Sequence, residues 1–119
     1  MSVYLSLFFS PASGSKGTLK QWLMKMGSEV HAGDPLFSYR DGKQEGRFKT
    51  PIPGTLKVYL IREGDELEAG NDVVVLSCAE SAATVLQNQG LGKILKPEEY
   101  KSALEHAEAA SIRLPPEDL

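Results

Sequence analysis

Two similar β-rich halves followed by a helical tail, an all-β class, are what the sequence predicts, on three observations. Residues 17–33 (GTLKQWLMKMGSEVHAG) and 54–70 (GTLKVYLIREGDELEAG) repeat one another at a shift of 37 positions. Short apolar runs broken by turn residues fill residues 3–77, the spacing of a closed or sandwiched β body. A hairpin, Leu36–Gly54, separates the two copies. One pair of copies is too few for a solenoid, and fits two half-domains packed about a pseudo-twofold axis.

The copies agree at Gly17/Gly54, Thr18/Thr55, Leu19/Leu56, Lys20/Lys57, Leu23/Leu60, Gly27/Gly64, Glu29/Glu66, Ala32/Ala69 and Gly33/Gly70. Trp22/Tyr59, Met24/Ile61, Lys25/Arg62 and Val30/Leu67 match in kind. At 119 residues and 41% hydrophobic content, the chain supports one small core and a tail. The expected division is a β domain over residues 1–77 and a helical extension over 78–119. A net charge of -3, with cations scattered among acids, argues against nucleic-acid binding. The apolar start SVYLSLFF is too short to span a bilayer and reads as a strand, so no membrane partner is expected. Cys78 is the single cysteine and cannot form an internal disulfide, which points to a reducing, cytoplasmic setting.

Taken in order, Val3–Phe9 mixes aromatic and aliphatic residues without helical spacing and predicts the first strand. Pro11–Gly17 is a loop of small residues, and Thr18–Met24 a strand that Gly27 ends. Glu29–Gly33 is a short extension and turn before Leu36–Tyr39. Asp41-Gly42 is a type I′ turn signal, since both central positions need positive φ. Gln44–Lys49 is the return strand, with Phe48 its one large apolar residue. After Pro51–Gly54, Leu56–Ile61 and Asp72–Leu76 repeat the strand pattern, with a turn at Gly64-Asp65. Ser77–Glu80 resembles a capping box for a helix running to about Gln87, which Gly90–Gly92 interrupts. Pro97 opens a second helix, with Glu98 and Glu99 at its positive end and Tyr100, Ala103, Leu104, Ala107 and Ala110 as its apolar stripe. Leu114–Leu119, with two prolines, is expected to be irregular.

No catalytic constellation is visible. His31 and His106 are remote from each other and from any nucleophile, and one cysteine with two distant histidines lacks metal-ligand spacing. Asp34, Asp41, Asp65 and Asp72 fit turn positions, where their side chains bond backbone. Trp22 and Tyr59 fit core or boundary aromatics, and Cys78 a small buried side chain. Lys43 is different in kind: it follows a sharp turn, between two like halves, with its amine on a flexible stem.

These residues resemble the biotinyl/lipoyl attachment domains, whose fold is the barrel-sandwich hybrid, a flattened β-barrel of two pseudo-symmetric halves. Lipoyl domains read G-D-x-V-x-x-G-D-x-L, then a tip E-T-D-K-A, then A-P-x-x-G. Gly27, Val30, Gly33, Asp34 and Leu36 match the first run, Pro51 and Gly54 the last, and Gly64, Asp65, Leu67 and Gly70 the second half. Lys43 stands where the family carries its modified lysine. The tip here is Arg40-Asp41-Gly42-Lys43-Gln44, so Arg40 reverses the acidic charge and Gly42 replaces the acid beside the lysine. A turn centred on Asp41-Gly42 places Lys43 on the strand flank. The run Leu23-Met24-Lys25-Met26 imitates the biotin motif but falls outside the hairpin, and Arg62 is the counterpart of Lys25.

The resemblance implies a carrier, not an enzyme, with lipoate amide-linked to Lys43 ahead of biotin, since no methionine flanks Lys43. Arg40, Asp41, Gly42 and Gln44 would be recognition residues for a ligase and for partner enzymes of a multienzyme system. The chain would act as a monomer or weak homo-oligomer. The alternative is an unmodified module of the same fold that binds through its C-terminal helices.

Overall fold

A computed structural model describes residues 2–9, 16–42 and 44–109, with side chains at 44 and 106–109 left out. The strands in chain order are β1 (Ser2–Phe8), β2 (Lys16–Trp22), β3 (Glu29–Val30), β4 (Pro35–Asp41), β5 (Gln44–Lys49), β6 (Gly54–Tyr59), β7 (Glu66–Glu68), β8 (Asp72–Ala79) and β9 (Gly92–Leu95). Helix α1 (Glu80–Asn88) precedes β9, and α2 (Pro97–Ala109) follows it. Two antiparallel sheets result, which we name A and B. Sheet A has the order β3-β6-β8-β1-β9, and sheet B the order β5-β4-β2-β7. The all-β barrel-sandwich expectation therefore holds. The loop expected over Pro11–Gly17 lies outside the described residues up to 15, and β2 has begun by Lys16. The end expected to be irregular, Leu114–Leu119, lies outside them too.

The sequence repeat is realised as an exchange of strands between the sheets. β3 leaves its own half to pair with β6, and β7 pairs with β2 in the mirror arrangement. The registers agree residue by residue: Leu19 faces Tyr39 and Trp22 faces Phe37, while Leu56 faces Leu76 and Tyr59 faces Val74. Each pair carries a one-residue bulge at the same place, Lys20 in β2 and Lys57 in β6. The turns repeat too. Gly27 N donates to Leu56 O and Gly64 N to Leu19 O, both at 2.7 Å. These glycines have φ of 91° and 94°, a left-handed conformation that a side chain resists. That is why they recur at this spacing.

Alternation along the strands sends Leu5, Leu7, Leu19, Phe37, Phe48, Leu56, Val74 and Leu76 inward, all buried. Phe37 sits at the centre of an aromatic cluster, with ring centroids 5.0 Å from Trp22, 5.1 Å from Phe48 and 6.1 Å from Phe9. Trp22 and Tyr59, equivalent in the repeat, stack at 4.0 Å and 11° across the pseudo-twofold axis. Trp22 Nε1 donates to Ile61 O at 3.0 Å, and the Tyr59 hydroxyl donates to Met24 O, itself the counterpart of Ile61. Each half thus ties down the other.

Burial, helped by the negative charge of Glu63, pushes the Tyr59 phenol up to about 12 from its usual value of 10.0. Because the folded state holds this proton more tightly, the stabilisation is complete below pH ~10 and is lost as pH rises toward about 12. We expect stability to fall over that interval, with the Tyr59 phenol titrating late in a spectrophotometric titration of the folded chain, where burial raises Tyr100 as well. Tyr59→Phe should remove that late phenol. An unchanged titration in Tyr59→Phe would contradict the assignment.

Three local expectations are corrected. Asp41 is a strand residue, paired with Gln44, so Gly42 and Lys43, not Asp41-Gly42, join β4 to β5. The capping box at Ser77–Glu80 does not form: β8 runs on to Ala79, which is the N-cap of α1 and makes no side-chain cap bond. Ser77 is held in a ladder between Tyr4 and Thr55, and two neighbouring strands outcompete a local cap. Asp72 lies within β8, and Asn71 makes the turn contact instead, its Oδ1 accepting from Glu68 N at 2.8 Å. Asp34 and Asp65 do cap their turns, accepting from His31 N at 2.8 Å and Arg62 N at 3.0 Å.

Two strands, β7 and β9, are absent from the sequence reading, although β7 is the repeat counterpart of the extension at Glu29–Gly33. Four residues between Gly90–Gly92 and Pro97 are too few to show a period. Gly92 lets β9 close on β1, since a Cβ there would lie 2.9 Å from Ser6 O. Helix α2 then lies on the outer face of sheet A, its Tyr100 ring stacked on Tyr4 at 3.8 Å and 2°. Ala103 and Leu104 of the expected stripe are packed against the core, while the side chains of Ala107 and Ala110 lie outside the described residues. Glu99 caps the start of α2, accepting from Lys96 N at 2.8 Å and Lys93 Nζ at 3.1 Å, and these donors lower its pKa.

Candidate functional site

The β4–β5 hairpin brings the tip residues together at one end of sheet B. Pairing of Asp41 with Gln44 and Arg40 with Glu45 leaves a two-residue link, residues 42 and 43. Gly42 has φ of 65°, which a tight hairpin link demands of its first central residue. A Cβ built on Gly42 would meet nothing within 4 Å, so the link is uncrowded on that side. Lys43 itself lies outside the described residues, as does the Gln44 side chain.

The charges behind the link are organised by Glu45. Arg40 reaches it across the strand pair at 3.3 Å, and Lys20 reaches it from β2. Hydrogen bonds from Lys20 and Arg40 hold the Glu45 carboxyl below its usual range. Arg40 and Lys20 share the one Glu45 carboxylate, and the Asp41 side chain makes no hydrogen bond or ion pair among the described residues. On the side toward β7, Arg40, Asp41 and Gly42 line a cleft of about 220 Å³ whose far wall includes Glu66 and Glu68. Lys16 lines the cleft as well, so both signs of charge meet across β2.

Sequence reasoning missed Glu45, Glu66 and Glu68. A two-residue link sets Arg40 opposite Glu45, so that pair was readable once the turn was placed. The approach of Lys20 depends on the β2–β4 pairing and that of β7 on the strand exchange, and neither has a local signal.

The other candidates stand apart. Lys25 belongs to the repeated turn, where Lys25 O accepts from Ser28 N as Arg62 O does from Asp65 N. Cys78 is buried, and burial raises its thiol pKa, away from reactivity. Exposed His31 lies 3.6 Å from Asp34. Among the described residues, no group of three His, Cys, Asp or Glu side chains could hold a metal, and no helix is long and apolar enough to cross a membrane.

No protein-family model and no curated protein matches the chain. Solved structures do. A single-chain, multi-domain long-chain acyl-CoA carboxylase aligns over 92% of this chain at 16% identity and a TM-score of 0.54. This chain spans about a tenth of that enzyme's length, 10%. The lipoyl domain of the 2-oxoglutarate dehydrogenase complex from Azotobacter vinelandii aligns over 60% of this chain and 95% of its own, at 20% identity and a TM-score of 0.47. With its two exchanged, pseudo-symmetric halves, the chain has the barrel-sandwich hybrid fold.

Proposed function

We propose that the chain is a swinging-arm carrier whose Lys43 amine is acylated by lipoate, with biotin the second choice, and shown to partner enzymes. The observation that carries this is the hairpin link. The Asp41–Gln44 pair reduces the connection to two residues, and Gly42 leaves space around it, as an extended arm on Lys43 requires. Arg40 shares the Glu45 carboxylate with Lys20, which reduces the reversed charge at the tip without cancelling it. Asp41, Glu66 and Glu68 share the cleft beside the tip with Lys16 and Arg40, so acids are present there but balanced in part by cations.

Lipoate, where bound, supplies the transfer chemistry. The chain's own part is a two-residue link, open on the Gly42 side, with no reaction of its own. Tethering raises the effective concentration of the cargo at each partner site that the arm can span. Partners are enzymes acting in trans, in the cytoplasm.

The test is reconstitution. With lipoate–protein ligase, ATP and lipoate, the purified chain should gain the mass of one lipoyl group, and Lys43→Ala should gain none. In parallel, biotin–protein ligase with biotin should give less product. A chain left unmodified by both ligases, or modified equally in Lys43→Ala, overturns the proposal.

A further inference from the structure

The two outer sheet faces are equivalent by the pseudo-twofold axis but are treated differently. On sheet A, the pairs Tyr4–Ser77 and Ser6–Val75 face outward, and both C-terminal helices pack there, α2 stacking Tyr100 on Tyr4 and α1 contacting β1 and β8. Their equivalents on sheet B are Glu45–Arg40 and Arg47–Ser38, which no element covers among the described residues. This bare face holds an open groove of about 630 Å³. Lys20, Arg47 and Lys49 line it against a single acid, Glu45, within a chain of net charge -3. Lys20 and Arg40 are paired with Glu45, whereas Arg47 and Lys49 make no ion pair among the described residues. Leu23, 38% exposed, closes one end. β5 is an edge strand, so its outer backbone groups have no strand partner among the described residues.

We infer that this outer face of sheet B docks an acidic protein segment along the β5 edge. Charge selects the occupant: two unpaired cations repel a basic strand and a second copy of the same edge, and attract carboxylates. An open, polar groove is unlike the enclosed apolar pockets that hold small molecules. The Leu23 side chain and the free strand edge are features that a peptide reads by apolar contact and strand addition. Two free cations supply little of the counterion release on which nucleic-acid binding depends. The face does not depend on modification of Lys43.

The test is an NMR titration of the full ¹⁵N-labelled chain with a blocked peptide alternating glutamate and valine, and with its lysine–valine counterpart. Amide shifts should be confined to Lys20–Leu23, Ser38 and Glu45–Lys49, and only the acidic peptide should cause them. Arg47→Glu with Lys49→Glu should weaken binding at least about tenfold, and the double glutamine variant by less. Lys43→Ala should bind as the parent does, which separates this surface from the carrier proposal. Shifts elsewhere, unchanged affinity in both double variants, or equal binding of a single-stranded oligonucleotide would overturn the inference.

Discussion

Phe37→Ala is expected to lower the unfolding free energy by about 3–5 kcal/mol, the range for deleting a large aromatic from a packed core. Phe37 is fully buried and touches the rings of Phe9, Trp22, Tyr39 and Phe48. Strands flank it on both sides, so the site cannot collapse onto the space left behind. Small domains are stable by only about 5–15 kcal/mol, and this one loss approaches the lower bound. Its equivalent on sheet A is Val74, also fully buried but with fewer atoms to lose. Val74→Ala should therefore cost less. Urea unfolding of both variants checks this, and a larger loss for Val74→Ala would contradict the placement of the aromatic cluster.

Gly54→Ala is the second large effect. A Cβ there would lie 2.6 Å from Ser77 O and 3.3 Å from the Cys78 Cβ. The first contact is with backbone inside the β6–β8 ladder, so relief requires the strands to part. The expected cost is about 2–3 kcal/mol, from overpacking partly offset by the smaller entropy of an unfolded alanine chain. Gly17 is the repeat partner, but its Cβ would stand 3.2 Å from Arg40 O. Gly17→Ala should cost about 1 kcal/mol or less. Unfolding midpoints that rank the two the other way would show that the halves differ from the geometry described.

The repeat was legible because its turns require glycine at fixed places and its strands require apolar alternation. Gly27, Gly33, Gly64 and Gly70 all take positive φ, so the sequence constraint and the structural one are the same. The Trp22/Tyr59 equivalence was legible; their stacking, and the bond each makes to the other half, follows only from the strand exchange. Ser77 carried a local cap signal that two flanking strands overrode. β9 was too short to show a period, and its docking rests on one small residue, Gly92. At the tip, the turn register shifted by one residue because Asp41 pairs in the ladder where an Asp-Gly signal suggests a turn. Lys20 joins Arg40 at Glu45 from another strand, and no local spacing encodes that.

The measurement closest to the central claim is the intact mass of the chain isolated from its native cells, followed by peptide mapping. The expected mass exceeds that of the bare sequence by one lipoyl group, carried on the peptide that contains Lys43. An unmodified mass where ligase and cofactor are plentiful, or a group found on Lys25, would contradict the carrier account.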